Sequence, residues 1–459
     1  MRKHFEFFAY NSPTDGIFTI NGVDYFLGED FRNVKRYKEY KNAGFTVLML
    51  QHCNGYSGEY WETSACNKCM TEAAKAGIDK VIVWDKRISE LCSEEDGLIG
   101  EGKMFESEDK LINFLSACSE SYSKKSNFYG LLLYDEPRHW MLKSYGQVVK
   151  ALKKLYPNIY LHCNLLPFSN MDWLADNEVN TRDSFYSYLN KFLNETELKS
   201  ICVDEYAFRR EYIIGWCSIM TFQIMANVAR DRGAEAYAVL QSFVHYNGQH
   251  LVHRHVTESD MYYQTNLTMG LGFKEFSFFT YFTKREMQIS GFLASDGVDG
   301  GAFINHDGSR TKLYNFTKRI IGEMKQFEPI IIDYSYVDNY IVCGKGKTYA
   351  DFPHVSEIEH NEKPCPINVK PNLGVTFISE LENKEKNSKM FMVQNISNVK
   401  EEWDTGKVMR VNVDLSNVAE NSKEINFYFK GKKIDVKLNN KEFNRKLHCG
   451  DAIFIEVCY

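Results

Sequence analysis

Two adjacent carboxylates and a proline, Asp135-Glu136-Pro137, follow directly after the apolar run 128–134. A continuous apolar run is typical of a strand that is buried on both faces. A proline ends such a strand because it has no N–H to donate to the ladder. Carboxylates at the end of a buried strand are energetically costly unless they are hydrogen-bonded or take part in chemistry. The pair is therefore a candidate for general acid–base chemistry.

A second pair of acids, Asp204-Glu205, precedes Tyr206 at the end of another apolar segment. Cleavage of a glycosidic bond needs one carboxylic acid that protonates the leaving oxygen and a second group that meets the developing positive charge. Side chains alternate along a strand, so Asp204 and Tyr206 are expected to share a face. By the same rule, Glu136 and Asp135 are expected on opposite faces. We expect Glu136 to be the general acid/base and Asp204, or Asp135 after a bend in the strand, to be its partner.

Both pairs of acids also have structural interpretations. Acidic residues favour helix starts and proline favours the first helical turn, so residues 135–137 are consistent with a helix N-terminus, with or without a catalytic role. The second pair, Asp204-Glu205, is consistent with a loop in which one acid pairs with Arg209 or Arg210.

The elements that must position these acids alternate regularly through the first two thirds of the chain. Strands are predicted at 5–10, 45–51, 80–84, 129–134, 159–164, 200–203, 236–241 and 273–281. Helices are predicted among them at 64–77, 110–123, 140–156 and 257–270, followed by one at 312–327. Eight alternating units predict a (β/α)8 TIM barrel over residues 1–329. The alternative, an open doubly wound sheet, is less favoured because no glycine-rich phosphate loop follows the first strand.

Polar and aromatic residues collect at the carboxyl ends of the predicted strands. The candidates for substrate binding are His52, Trp84, Asn164, Tyr206, Gln241 and Tyr281. This set contains few cations, which favours a neutral, hydroxyl-rich ligand such as a carbohydrate over a phosphate or carboxylate ligand.

The pattern changes near residue 330. Short alternating strands are predicted at 340–343, 374–378, 389–393, 408–413, 425–429, 434–438 and 452–457, separated by turn residues. This pattern is typical of a β-sandwich. We therefore predict an all-β sandwich domain at residues 330–459.

Metal and covalent chemistry have weaker candidates. His253-Arg254-His255 follows strand 7 and is interpreted as a solvated loop, and Cys66 and Cys69 have no second pair at zinc spacing. Lys86 could form a Schiff base, but a salt bridge with Asp85 is the preferred interpretation. No GxSxG motif is present. We expect no metal and no cofactor.

Composition limits the partners. With 459 residues, the chain fits two or three domains, and its net charge of −6 argues against nucleic acid as a partner. No segment approaches the about 18 apolar residues of a membrane span, so no membrane partner is expected. Scattered cysteines within apolar segments favour a reducing compartment. We expect a cytoplasmic protein; a secreted form, from which a leader has been removed, stays an open alternative. The sequence does not predict the oligomeric state.

The order of these motifs resembles the superfamily of TIM-barrel glycoside hydrolases, over roughly residues 1–325. The resemblance rests on Leu133-Tyr134-Asp135-Glu136-Pro137, Asn164-Leu165-Leu166-Pro167, Val203-Asp204-Glu205-Tyr206, Leu240-Gln241-Ser242-Phe243 and Phe278-Phe279-Thr280-Tyr281-Phe282. The segment 300–314 is similar to the stretch that closes the barrel in β-galactosidase-like members. The resemblance implies a hydrolase that acts on O-glycosidic bonds.

Two departures bear on mechanism. Retaining β-galactosidases and cellulases carry Asn-Glu-Pro at strand 4 and a nucleophilic Glu at the end of strand 7, where this chain has Asp135 and Gln241. An Asp-Glu pair at strand 4 is instead similar to β-N-acetylhexosaminidases that use substrate assistance. That resemblance implies that Asp135 orients the acetamido group of the substrate, Glu136 is the acid, and Tyr206 or Tyr281 supports the intermediate.

Two other functions remain open. The missing Glu at strand 7 supports a barrel that binds carbohydrate without hydrolysing it. The other is a barrel lyase or isomerase with His162 or Lys86 as base.

Overall fold

The computed structural model describes residues 3–10, 12–13, 17–20, 23–26, 29–51, 63–168, 180–209, 217–247, 250–282, 301–305, 307–356, 358, 363–397 and 408–459. Within these residues, eight parallel strands lie in the first two thirds of the chain. They are β1 (Glu6–Ala9), β2 (Leu48–Gln51), β3 (Val81–Trp84), β4 (Phe128–Asp135), β5 (Tyr160–Asn164), β6 (Ser200–Glu205), β7 (Glu235–Gln241) and β8 (Glu275–Phe279). Each of the eight runs predicted from the sequence overlaps one of these strands, so their positions are confirmed.

The eight strands form two four-stranded parallel sheets, in the orders β2-β3-β4-β5 and β1-β8-β7-β6. Backbone hydrogen bonds join the outer edges of the two sheets. The Leu165 N–H, just beyond β5, donates to the Cys202 carbonyl of β6 over 2.8 Å, and the Thr46 N–H, just before β2, donates to the Phe7 carbonyl of β1 over 2.8 Å. The carboxyl ends of neighbouring parallel strands lie at the same edge, where ligands bind in α/β folds.

Helices connect these strands. Those described are α1 (Val34–Asn42), α2 (Thr63–Lys75), α3 (Lys86–Cys92), α4 (Glu108–Ser123), α5 (Leu142–Leu155), α6 (Arg182–Thr196), α7 (Ser218–Arg232), α8 (Glu258–Gly270) and α9 (Lys312–Ile331). A capping box starts α8, because Thr257 Oγ1 accepts the Asp260 N–H and the Asp260 carboxylate accepts the Thr257 N–H. Within the described part of the chain, none of the helices has the length and apolar character of a membrane span.

Antiparallel strands follow from Ser335 onward. They are β9 (Ser335–Cys343), β10 (Asn368–Pro371), β11 (Val375–Asn383), β12 (Ser388–Asn395), β13 (Met409–Asp414), β14 (Glu424–Phe429), β15 (Lys432–Ile434), β16 (Glu442–Leu447) and β17 (Ala452–Cys458). One sheet has the order β9-β11-β12-β17-β14-β15 and the other β10-β13-β16. The predicted strand at 434–438 is wrong: β15 ends at Ile434, and 435–438 form no strand.

The six-stranded sheet has two buried faces. Along β17, Ile453 and Ile455 belong to a hydrophobic cluster that also contains residues of the three-stranded sheet. Phe454, on the opposite face, packs against Phe327 of α9 with ring centroids 4.8 Å apart. The alternation of side chains along the strand therefore attaches this sheet to the second antiparallel sheet on one side and to the helices on the other.

Candidate active site

Three carboxylates meet at the carboxyl ends of β4 and β6. Asp135 is the last residue of β4, Glu136 follows it, and Asp204 lies near the end of β6. The carboxyl groups of Glu136 and Asp204 are hydrogen-bonded to each other, while the Asn164 side-chain amide, at the end of β5, donates to Asp135 Oδ1 over 2.9 Å. Tyr206 completes the cluster: its hydroxyl lies near enough to Asp204 to oppose the rise in the pKa of that carboxyl, so the two residues share a face, as predicted.

Local backbone geometry places both Asp135 and Glu136 in this cluster. The register between β4 and β5 shifts between Leu132 and Asp135. Glu136 has a φ of 53°, in the left-handed region that is uncommon for residues other than glycine. The prediction that Asp135 and Glu136 face opposite sides is therefore wrong, because strict alternation ends at this irregularity. The alternative of a helix N-cap at Asp135 is also wrong, since the next helical turn starts at His139.

Burial and mutual repulsion raise the pKa values of these acids. Burial, followed by the negative charge of Asp135, raises the pKa of Glu136 to about 7, against the opposing effect of its hydrogen bond with Asp204. Burial and the charges of Glu136 and Asp135 hold the pKa of Asp204 well above its usual range. Burial also raises the pKa of Asp135, although the Asn164 hydrogen bond and the charge of His162 oppose this shift. The cluster therefore retains a proton near neutral pH, which Glu136 and Asp204 share.

A chain of buried polar side chains lies next to the carboxylates. The Tyr10 hydroxyl is 3.1 Å from His162 Nε2, and His162 Nδ1 is 3.0 Å from the Tyr160 hydroxyl and 3.2 Å from Glu275 Oε1. The Tyr160 hydroxyl donates to Glu275 over 2.7 Å. Burial, followed by negative charges that include those of Asp135 and Asp204, raises the pKa of Tyr10.

The sequence interpretation missed Tyr10 and Glu275 and considered His162 only as the base of a lyase or isomerase. Tyr10 directly follows β1. Its position after the first predicted strand, equivalent to that of the other candidate residues, was the signal that could have identified it.

Aromatic rings line the neighbouring side of the cluster. The ring of Tyr206 lies 4.8 Å from that of Phe243 and 5.8 Å from that of Phe279, and Phe279 lies 6.2 Å from Tyr10. Phe279 ends β8 and is partly exposed. It was not among the predicted site residues, although its place at a strand end was visible in the sequence.

Tyr281, the residue predicted from strand 8, lies elsewhere. Its ring packs 4.8 Å from that of Tyr40 on α1, and its buried hydroxyl has no hydrogen-bond partner among the described residues. The structure therefore does not place it with the carboxylates.

The remaining predicted substrate-binding residues have separate surroundings. Gln241 is fully buried; its Oε1 accepts the Phe208 N–H over 2.9 Å, and its Nε2 donates to the Arg254 carbonyl over 3.2 Å. Its amide is therefore committed to backbone groups. Trp84 is half-buried, and its indole N–H donates to Ser89 Oγ over 3.1 Å. His52 lies outside the described residues.

Glu205, the neighbour of Asp204, points away from the cluster. Its Oε2 accepts a hydrogen bond from Thr221 of α7 over 3.2 Å, and burial raises its pKa to about 7. The positive charge of Arg209 opposes this shift, but the Arg209 guanidinium is itself 2.7 Å from His253 Nε2.

The predicted salt bridge between Lys86 and Asp85 is wrong. Asp85 is the N-cap of α3 and pairs with Arg87 over 2.8 Å, whereas Lys86 Nζ lies 3.9 Å from Glu90. Lys86 therefore starts a helix at the surface.

The interpretation of 253–255 as a solvated loop is also wrong. His253 ends a strand, His250–His253, that pairs with the strand His245–Asn247, and both His253 and Arg254 are buried. Arg254 pairs with Asp260. Across the described ranges, no three His, Cys, Asp or Glu side chains are grouped as metal ligands would be.

Comparisons with known proteins agree with this architecture. No protein-family model matches the chain, and no curated protein matches it in sequence. Among solved structures, a glycoside hydrolase family 5 protein from Bacteroides vulgatus matches with a TM-score of 0.52 at 10% identity, covering 99% of this chain and 88% of that one. A second glycoside hydrolase matches with a TM-score of 0.51 at 12% identity, covering 99% and 92%. These neighbours are glycoside hydrolases of TIM-barrel type with a C-terminal domain, so the likeness concerns the fold.

Proposed function

We propose that the chain is a glycoside hydrolase, with a closed (β/α)8 catalytic barrel at residues 1–329 and a β-sandwich at 330–459. Barrel closure is supported by the backbone hydrogen bonds that link β5 to β6 and β1 to β2. The sandwich is supported by the hydrophobic cluster that residues of both antiparallel sheets share. The fold likeness to glycoside hydrolases supports the reaction class.

The hydrogen-bonded pair of Glu136 and Asp204 carries this proposal. A glycosidase needs a carboxylic acid that is still protonated at working pH and can donate to the leaving oxygen. The pKa of Glu136, raised to about 7, meets this requirement. Glu136 would donate its proton to the glycosidic oxygen, and Asp204 would then hold the negative charge that faces the oxocarbenium-like centre.

The close contact between the two acids favours one version of the mechanism. Carboxyls in hydrogen-bonding contact stand closer than the about 5–5.5 Å of retaining pairs and the about 6.5–9.5 Å of inverting pairs. Substrate assistance needs no such gap, since the 2-acetamido group of the substrate is the nucleophile. In that version Asp135, held by the Asn164 amide, orients the acetamido group, Glu136 is the acid, and Tyr206 beside Asp204 supports the intermediate.

Glu136→Gln tests the proposal, with Glu205→Gln as the matched control. Burial raises the pKa of both glutamates to about 7, but only Glu136 belongs to the cluster. On a panel of aryl glycosides with and without a 2-acetamido group, Glu136→Gln should lower turnover by about 10²–10⁴-fold while sugar binding persists. Glu205→Gln should turn over like the wild type. Equal activity of Glu136→Gln and the wild type would contradict the assignment.

The panel also separates the mechanisms. Substrate assistance predicts that a 2-acetamido group is required and that thiazoline inhibitors bind. Turnover of plain glucosides or galactosides would exclude that version and leave Glu136 as the acid of a two-carboxylate mechanism.

One observation favours a second candidate, a barrel that binds carbohydrate without cleaving it. β7 ends in Gln241, whose amide is used by backbone groups, so the end of this strand supplies no nucleophile. A wild-type chain that cleaves no panel member but binds oligosaccharides measurably by calorimetry would support this candidate.

A further inference from the structure

The C-terminal strands β14, β15 and β16 carry a concentration of positive charge. Residues 423–448 contain eight Lys and Arg but three Asp and Glu, whereas the whole chain has 55 basic and 61 acidic residues. An open depression of about 520 Å³ lies between the end of β14 and β16. Its described lining includes the cations Lys430, Arg445 and Lys446 and the amide of Asn444.

The charges in this depression do not balance. Asp451 is the carboxylate among its described lining residues, and its Oδ1 lies 3.3 Å from Lys430 Nζ. The other oxygen of Asp451 accepts the His448 N–H over 3.1 Å. Arg445 and Lys446 form no ion pair within the described parts of the chain, so two positive charges remain uncompensated.

The geometry of Arg445 suits an oxyanion. Arg445 lies over the ring of Phe429, with Cζ 4.3 Å from the ring centroid, and this stacking fixes the plane of a guanidinium fork that matches carboxylate and sulfate oxygens. Lys446 stands directly opposite Arg410 in the pairing of β16 with β13. Because side chains alternate along a strand, Lys446 leaves β16 on the face opposite to Arg445, so it adds positive charge at the rim of the depression rather than a second arm beside the guanidinium.

The depression lies on the side of the molecule where β7 ends. The turn 448–451 packs against the start of α8: Gly450 has a φ of 83°, and a Cβ added there would lie 2.2 Å from the Ser259 carbonyl. Asn266, also on α8, donates its side-chain amide to the Gly450 carbonyl over 3.0 Å. Because α8 follows β7 in the chain, its first turn is at the same end of the strands as the carboxylate cluster.

We propose that this depression binds the oxyanion group, a sulfate ester or a uronate carboxylate, of an acidic polysaccharide. The polysaccharide part of the proposal rests on the proposed function, whereas the oxyanion part rests on the charges alone. The Arg445 fork holds the anion, Lys446 at the rim adds electrostatic attraction, and the position beside α8 allows one glycan chain to contact both domains.

Calorimetric binding to the full-length chain tests this inference with three oligosaccharides of equal length: sulfated, uronate-containing and neutral. The wild type should bind a sulfated or uronate probe more tightly than the neutral one, and the preferred probe identifies the oxyanion source. The double variant Arg445→Ala/Lys446→Ala should weaken this binding by about tenfold or more. Circular dichroism and size-exclusion chromatography verify that the variant folds and keeps its oligomeric state.

The matched control is Lys432→Ala/Lys437→Ala, which removes the same charge from exposed positions of the same stretch outside the depression. It should bind like the wild type. Equal weakening in both double variants would overturn the proposal in favour of general charge attraction. A single-stranded DNA probe that binds more tightly than both acidic glycans, with the same dependence on Arg445 and Lys446, would overturn it in favour of nucleic acid. Binding is measured without turnover, so a chain that hydrolyses nothing can still pass this test.

Discussion

Two buried aspartates at strand ends have opposite surroundings. Asp85, after β3, accepts the Arg87 N–H and pairs with its guanidinium, and the Tyr122 hydroxyl donates to it over 2.9 Å. Asp204, in β6, faces the carboxyl groups of Glu136 and Asp135. The first acid is surrounded by donors and a cation, whereas the second is surrounded by other acids.

This difference separates an acid that stabilises the fold from acids that are available for chemistry. A buried carboxylate with a cation and several donors is compensated, and its removal leaves those partners without an acceptor. A buried acid beside other acids is compensated only by keeping a proton, and a retained proton is what a general acid transfers. Position at a strand end is common to both aspartates, so the neighbouring side chains decide the role.

The largest expected effect is a difference in stability between variants of these two aspartates. Asp85→Asn should lower the free energy of unfolding by about 2–4 kcal/mol, because it weakens the α3 cap and leaves Arg87 without its carboxylate. Asp204→Asn should leave stability unchanged or raise it, because it removes repulsion from the cluster. Urea unfolding of both variants measures the difference. Similar losses in the two would mean that Asp204 also stabilises the fold.

A second variant tests whether the end of β7 can accommodate a carboxylate in place of the Gln241 amide. Gln241→Glu should destabilise the protein by about 2–3 kcal/mol, because it replaces the Nε2 donor by an oxygen that faces the Phe208 and Arg254 carbonyls. Urea unfolding gives the cost, and the aryl glycoside panel shows whether activity rises. A stable, more active variant would show that strand 7 has room for a nucleophile, contrary to the backbone contacts of Gln241.

The eight parallel strands could be predicted from the sequence because buried strands are continuous apolar runs. Polar edge strands gave no such signal. β10, Asn368–Pro371, and β16, Glu442–Leu447, are largely Asn, Lys, Arg and Glu, and tertiary pairing with β13 makes them strands. The division of the chain at residue 330 remains a prediction; α9 continues to Ile331 and β9 begins at Ser335.

For the candidate site, the sequence predicted which residues lie at the strand ends but not the contacts that they make. Asp135, Glu136, Asp204, Asn164 and Tyr206 are neighbours in space, as their strand positions implied. Their contacts depend on a register shift and on the positive φ of Glu136, and the pattern of side chains along the sequence predicts neither of them.

The wrong predictions for residues at strand ends have one physical cause. A strand end specifies which residues reach the edge of the sheet but not which way each side chain turns beyond it. Phe279 and Tyr281 are two residues apart at the end of β8, yet one lies beside Tyr206 and the other packs on α1.

The raised pKa of Glu136 predicts a pH dependence of stability. In the folded protein Glu136 binds its proton up to about pH 7, whereas in the unfolded chain it releases it near the ordinary 4.5. The stabilisation is therefore fully present below pH 4.5 and is lost as the pH rises through 7. Relative to Glu136→Gln, the wild type should lose on the order of 1–3 kcal/mol over this range. Urea unfolding at several pH values measures it, and parallel curves for the two proteins would refute the protonated cluster.

The smallest expected effect concerns two buried tyrosines. They differ, as the two aspartates do, in the partners that surround their polar groups. The Tyr10 hydroxyl is hydrogen-bonded to His162, whereas the buried Tyr145 hydroxyl has no partner within the part of the chain that the structure describes. Tyr10→Phe should lower the free energy of unfolding by about 1 kcal/mol, because it leaves the buried His162 Nε2 without its bond. Tyr145→Phe should be neutral or stabilising. If Tyr10 also couples His162 to the carboxylates, the cost of Tyr10→Phe should change when it is combined with Glu136→Gln, and strict additivity would show that the His162 chain acts on the fold alone.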